Sequence, residues 1–113
     1  MKTIKYFLVS VIFFLAISTS VKAITIGFSV ARFDDNFLTV MRNDAVRRAE
    51  EAGHTMQVDD AKDDVSTQLS QVQNYIASGV DAIIVNAVDT DTTQAMTKAA
   101  EGAGVPLVYV NRQ

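Results

Sequence analysis

The chain has 113 residues, 49% of them hydrophobic, with ten lysines and arginines against thirteen aspartates and glutamates and a formal charge of −3. That length holds one small domain, and the acidic balance excludes a nucleic-acid surface, which needs a basic face to replace phosphate counterions. Cysteine is absent, which excludes disulfides, thiolate metal sites and a lipid-modified cysteine.

In chain order the first pattern is a leader. Lys2 and Lys5 precede an apolar run from Tyr6 to Ile17, followed by Ser18-Thr19-Ser20 and Val21-Lys22-Ala23. A basic start, an apolar middle and a small-residue exit are the three parts of a secretory signal peptide. The apolar run is about a dozen residues, short of the ~20 that span a bilayer; an uncleaved membrane anchor is the alternative. The expectation is a leader over 1–23 cleaved after Ala23, a domain over 24–113, and residence in a bacterial periplasm. Loss of Lys2, Lys5 and Lys22 with the leader would leave seven basic residues against thirteen acidic ones.

Strands and helices then alternate. Ile24–Val30 reads as the first strand. Asp35 or Asn36 opens the first helix, whose inward face is read as Phe37, Met41, Ala45, Ala49 and Ala52. Thr55–Val58 alternates, as an edge strand does. Asp64 opens the second helix, with Val65, Leu69, Val72 and Ile76 on one face. Ala82–Val85 is an apolar strand, suited to cover on both sides. Asp89 or Asp91 opens the third helix, where Asp91-Thr92-Thr93-Gln94 has capping-box spacing, and Met96, Ala99 and Ala103 form the face. Pro106 precedes the last strand, Leu107–Val110, where a missing N–H is tolerated. Gly53, Gly79 and Gly104 recur at near-equal spacing, each just past a helix end, where the left-handed stop favours glycine. The order β-α-β-α-β-α-β predicts an α/β fold, a doubly wound parallel sheet of the flavodoxin-like kind.

Ligands of open parallel sheets bind beyond the carboxyl ends of the strands. The residues expected there are Ala31–Phe37, Asp59–Asp64, Asn86–Asp91 and Asn111–Gln113. Phe33 and Phe37 flank Asp34-Asp35-Asn36. Aromatic rings beside carboxylates and an amide suit a sugar or polyol, since rings cover C–H groups and carboxylates accept from hydroxyls. Phe37 reads equally as a core residue of the first helix, and Asp35 reads better as its cap. Arg112, leaving the last strand, offers a fixed fork of donors that matches neighbouring hydroxyls; a solvated surface arginine is the alternative. Asn86 either reaches the ligand or braces the third loop, and the brace is the better reading. His54, beside Gly53 on the opposite rim, is read as a surface residue, and Met41, Met56 and Met96 as packing. Asp59, Asp60, Asp63 and Asp64 lack EF-hand spacing, no Gly-x-Gly-x-x-Gly follows the first strand, and no nucleophile–base pair stands out. No metal, cofactor or catalysis is expected.

These residues resemble a family. Phe33-Asp34-Asp35-Asn36-Phe37-Leu38-Thr39-Val40, Val80–Asn86 with Asp89-Thr90-Asp91, and Val105–Arg112 are similar to the N-terminal part of periplasmic sugar-binding proteins of the ribose and galactose type, with the periplasmic-binding-protein type I fold. The Asp-Asp-Asn-Phe loop looks most like the members that bind inositol and rhizopine-type inositol amines. The resemblance implies a non-catalytic solute-binding component of an ABC importer, with a sugar or polyol ligand and a membrane permease as partners, monomeric when full length. It implies ligand contacts by Phe33, Asp34, Asn36, Phe37, Asn111 and Arg112. Asn111 stands where the family has aspartate, exchanging an acceptor-only group for a mixed one, which fits a polyol or amino-polyol better than ribose. Family members have two such domains that close on the ligand about a hinge, so the chain is expected to be a fragment carrying part of the first.

Two other roles use this fold. An effector domain of a LacI-type regulator would need a helix-turn-helix where the leader stands. A phospho-acceptor using Asp59 or Asp60 lacks the accompanying lysine and hydroxyl pattern. A chemoreceptor or sensor input role is compatible with the same binding domain.

Overall fold

The computed structural model describes residues 20–112. The expected leader therefore lies outside the described residues except for its last four, Ser20 to Ala23, of which Val21, Lys22 and Ala23 are exposed.

The elements are β1 (Thr25–Val30), α1 (Asn36–Glu51), β2 (Thr55–Asp60), α2 (Val65–Ser78), β3 (Ala82–Val85), a short 3-10 turn (Thr90–Thr92), α3 (Thr93–Ala103) and β4 (Leu107–Tyr109). Type and order match the sequence reading. β2 runs two residues further than expected and takes in Asp59 and Asp60, because Ser29 and Val30 of β1 continue the parallel ladder opposite them. All neighbours are parallel, in the order β2-β1-β3-β4. The order reverses between β1 and β3, the place where loops leaving adjacent strands part to opposite sides and open a crevice.

The two sheet faces carry separate cores. β1 alternates: Phe28 and Val30 point toward α1 with Leu38, while Gly27 and Ser29 point toward α2. On the α2–α3 side Val72, Tyr75, Ile83, Val85 and Met96 are all buried. Gly27 permits this close approach. A Cβ there would lie 2.5 Å from two atoms of the Tyr75 ring, a separation real Cβ atoms do not show. The Tyr75 hydroxyl then reaches over to donate to Asp59 at 2.6 Å. Burial first, and the Asp59 carboxylate second, push the Tyr75 phenol well above its usual range.

Local signals set the helix ends. Asp35 caps α1 by accepting the Leu38 N–H at 2.9 Å, and Asp64 caps α2 by accepting the Thr67 N–H at 2.6 Å. Gly79 and Gly104 close α2 and α3 in left-handed conformation, at φ 78 and 68.

The helix faces need correction. Phe37 is 62% exposed, and Leu38, at 2%, takes the inward place in α1. The rest of the expected face holds: Met41 and Ala45 pack on the core and Ala49 is buried, so only its ends, Phe37 and Ala52, turn out to be exposed. In α2 the buried residues are Gln68, Val72 and Tyr75, with Leu69 and Ile76 packed beside them as expected and Val65 exposed. In α3 they are Met96 and Ala100, with Ala103 exposed. The capping box at Asp91–Gln94 does not form. Asp89 instead accepts from the Asp91 N–H at 2.9 Å and opens the 3-10 turn, and Thr92, at the start of α3, makes no side-chain cap bond.

Candidate functional site at the carboxyl rim

Parallel strands bring every βα loop to one rim. Phe33, Asp34, Asn36 and Phe37 follow β1, and Asn111 and Arg112 follow β4, so the two expected clusters stand at the same end of the sheet. One strand, β3, lies between β1 and β4, which separates them by about 10 Å.

Asn86, fully buried just past β3, ties the clusters together. Its Oδ1 accepts from the Ala31 N–H at 3.2 Å, where the first loop begins, and its Nδ2 donates to the Val110 carbonyl at 3.3 Å, one residue before Asn111. The bracing role read from the sequence is the observed one. Gln68 of α2, also buried, was not anticipated. Its Nε2 donates to Ser29 Oγ and to the Asn86 carbonyl, both at 3.0 Å, and its Oε1 accepts the Val88 N–H at 2.9 Å. Gln71 accepts from the Ser29 hydroxyl at 2.7 Å and donates to the Asp60 carbonyl at 2.8 Å. Among the described residues no buried side-chain polar atom lacks a partner. This satisfied network stiffens the ground under the rim. The only sequence signal for it is a glutamine on the inward stripe of a helix, and its partners lie on other elements.

The loop that Gln68 holds in turn holds Arg112. One guanidinium nitrogen of Arg112 donates to the carbonyls of Ala87 and Val88, both at 3.3 Å. Arg112 is exposed, as the surface alternative has it, and these two bonds tether its guanidinium to the third loop. Asn111 before it is left-handed at φ 66, a conformation asparagine tolerates better than most residues.

In the first loop, Phe37 lies in the first turn of α1 with its ring exposed, so the core reading fails and a surface for stacking remains. Asn36, the first residue of α1, is exposed too. Phe33 is half-buried: the Arg42 guanidinium covers its ring at 3.8 Å from the centroid, so that face is already occupied. Arg32 gathers three carboxylates, with Asp34 at 3.7 Å and Asp35 and Asp63 each at 3.5 Å. Asp63, then Asp34, raise the Arg32 pKa. The Leu38 N–H chiefly, with help from Arg32, holds Asp35 below its ordinary value. Asp35 is thus a structural cap, while Asp34, with its side chain 85% exposed, remains available.

An open cavity of about 530 Å³ is lined by Arg32, Phe33, Asp34, Asp60, Lys62 and Asp63. It lies between the loops after β1 and β2 and shares only Phe33 and Asp34 with the expected set. Arg32 and Lys62 face several carboxylates there, which suits ion pairing across two loops. Asn36, Phe37, Asn111 and Arg112 are not among the residues that line the cavity.

A parallel sheet ordered β2-β1-β3-β4 is the doubly wound, flavodoxin-like arrangement, with its crevice at the carboxyl rim. Residues 26–113 match the periplasmic binding protein domain, and the chain belongs to that family. A Rhizobium meliloti protein provisionally named for rhizopine binding is 50% identical over 110 residues, covering 96% of this chain and 36% of that protein. The ribose import binding protein of Bacillus subtilis is 32% identical over 91 residues, covering 80% of this chain and 30% of that one. Among solved structures, an ABC transporter solute-binding protein of Bacillus halodurans with bound myo-inositol superposes with a TM-score of 0.72 at 35% identity, covering 85% of this chain and 33% of that one. The chain thus spans about a third of the length of the relatives it matches.

Proposed function

We propose that the chain supplies the first-lobe half of the ligand clamp in a solute-binding component of an ABC importer, working in the periplasm with a membrane permease and without catalysis. The ligand is a cyclic polyol of the inositol class. Phe37 stacks on its C–H face, Asp34, Asn36 and Asn111 bond its hydroxyls, Arg112 spans an adjacent pair, and Phe33 closes the edge. The observation that carries this reading is Arg112, fixed by the Ala87 and Val88 carbonyls on a loop that Gln68 and Asn86 brace. A preset donor fork needs no reordering when a ligand arrives, which lowers the entropic cost of binding. The bound myo-inositol of the Bacillus halodurans structure and the Rhizobium meliloti name support the polyol class. Asn111 in place of an acid supports it over ribose.

The groups named above make one half of the proposed clamp, so residues 1–113 by themselves should bind weakly. Isothermal titration with myo-inositol and ribose should show no micromolar binding; micromolar affinity would overturn the half-clamp assignment. Saturation-transfer NMR should show myo-inositol touching the protein, with the signal abolished in Arg112→Ala. Equal transfer in both proteins, or none from any of myo-inositol, ribose and galactose, would overturn the ligand class.

A further inference from the structure

At the foot of β1, opposite the rim, the Ile24 N–H donates to His54 Nδ1 at 3.2 Å, and the Ile24 carbonyl accepts from the Thr55 N–H at 3.0 Å. The next residue is held from the other side. The Thr25 N–H donates to Asp81 Oδ2 at 2.9 Å, and the Thr25 carbonyl accepts from the Asp81 N–H at 2.8 Å. The bonded framework thus begins at Ile24, whereas Val21, Lys22 and Ala23 before it are exposed, Val21 at 82%. The family match begins just inside this point, at residue 26. In the sequence the same junction ends the basic, apolar and small-residue leader pattern. His54, expected at the surface, is half-buried here. Because its Nδ1 accepts, the proton of the neutral ring resides on Nε2.

We propose that, once the expected cleavage after Ala23 has taken place, the α-amine it frees on Ile24 is received by His54 Nδ1. An endopeptidase of the leader-peptidase class would hydrolyse the Ala23–Ile24 bond. The C–N bond breaks, water oxygen joins the Ala23 carbonyl carbon to leave a carboxylate, and both protons of the water end on the Ile24 nitrogen. The single amide N–H at His54 becomes an ammonium with three. Its bond to the imidazole is then charge-assisted, roughly twice as strong as a neutral one. A chain beginning one residue earlier or later puts no terminal amine at this nitrogen. The inference depends on export and is independent of any ligand at the rim.

The test expresses the full chain in a Gram-negative host, isolates the exported product and reads its intact mass. The α-amine is then labelled with an acylating reagent at neutral pH. The expected first residue is Ile24. Labelling should be several-fold slower in the wild type than in His54→Ala, with His54→Gln, whose amide oxygen still accepts, in between. A terminus at any other residue overturns the expected cleavage and the seat with it. A terminus at Ile24 with equal labelling rates in wild type and His54→Ala overturns the seat. Nitrogen NMR of the wild-type imidazole gives an answer that needs no variant: a bare Nδ1 supports the seat, and a proton on Nδ1 overturns it.

Discussion

The two faces of the sheet are finished differently. The face under α2 and α3 is sealed: Ile83 and Tyr75 are 1% exposed and Val85 0%. The face under α1 is sealed only over β1, where Phe28 and Val30 are buried. Toward β4 it opens, with Val108 55% exposed and Ile84 and Val110 only half-buried. The buried polar network that steadies the rim hangs from the sealed side, through Gln68 and Gln71 of α2. Rigidity for the site therefore comes from one face, and substitutions on the two faces should have unequal effects.

The largest effect should come from Gly27→Ala, which drives a methyl into the Tyr75 ring on the sealed face. Overpacking of this kind costs about 1–3 kcal/mol, or a thermal midpoint lower by roughly 10 °C for a domain of this size. Val108→Ala on the open face should move the midpoint by no more than a surface substitution does, within about 0.5 kcal/mol. Similar losses in a thermal melt would break the comparison. Next comes Gln68→Leu, which keeps the volume but leaves the buried Ser29 hydroxyl and the Val88 N–H short of a partner. The expected cost is about 2 kcal/mol, and amide exchange should quicken at Val88 and neighbouring loop residues more than in β2. Arg112→Ala sharpens the contrast between framework and site: stability should stay within about 0.5 kcal/mol of wild type while polyol contact disappears.

The smallest effect is the acid limb. The caps Asp35 and Asp64 have folded pKa values lowered chiefly by the Leu38 and Thr67 N–H groups. A depressed folded pKa stabilises the fold above the unfolded pKa of about 3.9. That contribution is lost as pH falls through the folded values. Asp35→Asn, which can still cap, should flatten the decline below about pH 4 in a stability–pH series.

Much of this was legible in the sequence. Apolar runs and recurrent glycines gave the element order, because strand cover and helix stops are written locally. The rim residues were legible once the strands were known, since parallel connection sends every βα loop to one end. What escaped depends on phase and distance. Leu38 rather than Phe37 turns inward at the first turn of α1, because 38, 41, 45 and 49 share one helical face and 37 stands about 100° away from 38. Gln68 reads as an ordinary polar helix residue until Ser29, Asn86 and Val88 come together around it. The anchorage of Arg112 on Ala87 and Val88 lies across two strands, beyond any local pattern. His54 likewise gains its partner only when β1 and β2 align.

The most direct test of the proposed polyol-binding rim is an amide NMR map of the chain titrated with myo-inositol to saturation. Perturbations should concentrate at residues 33–37, 86–88 and 111–112, and vanish in Arg112→Ala. Perturbations confined to Arg32, Lys62 and Asp63, or to the opposite end around Ile24 and His54, would contradict the account.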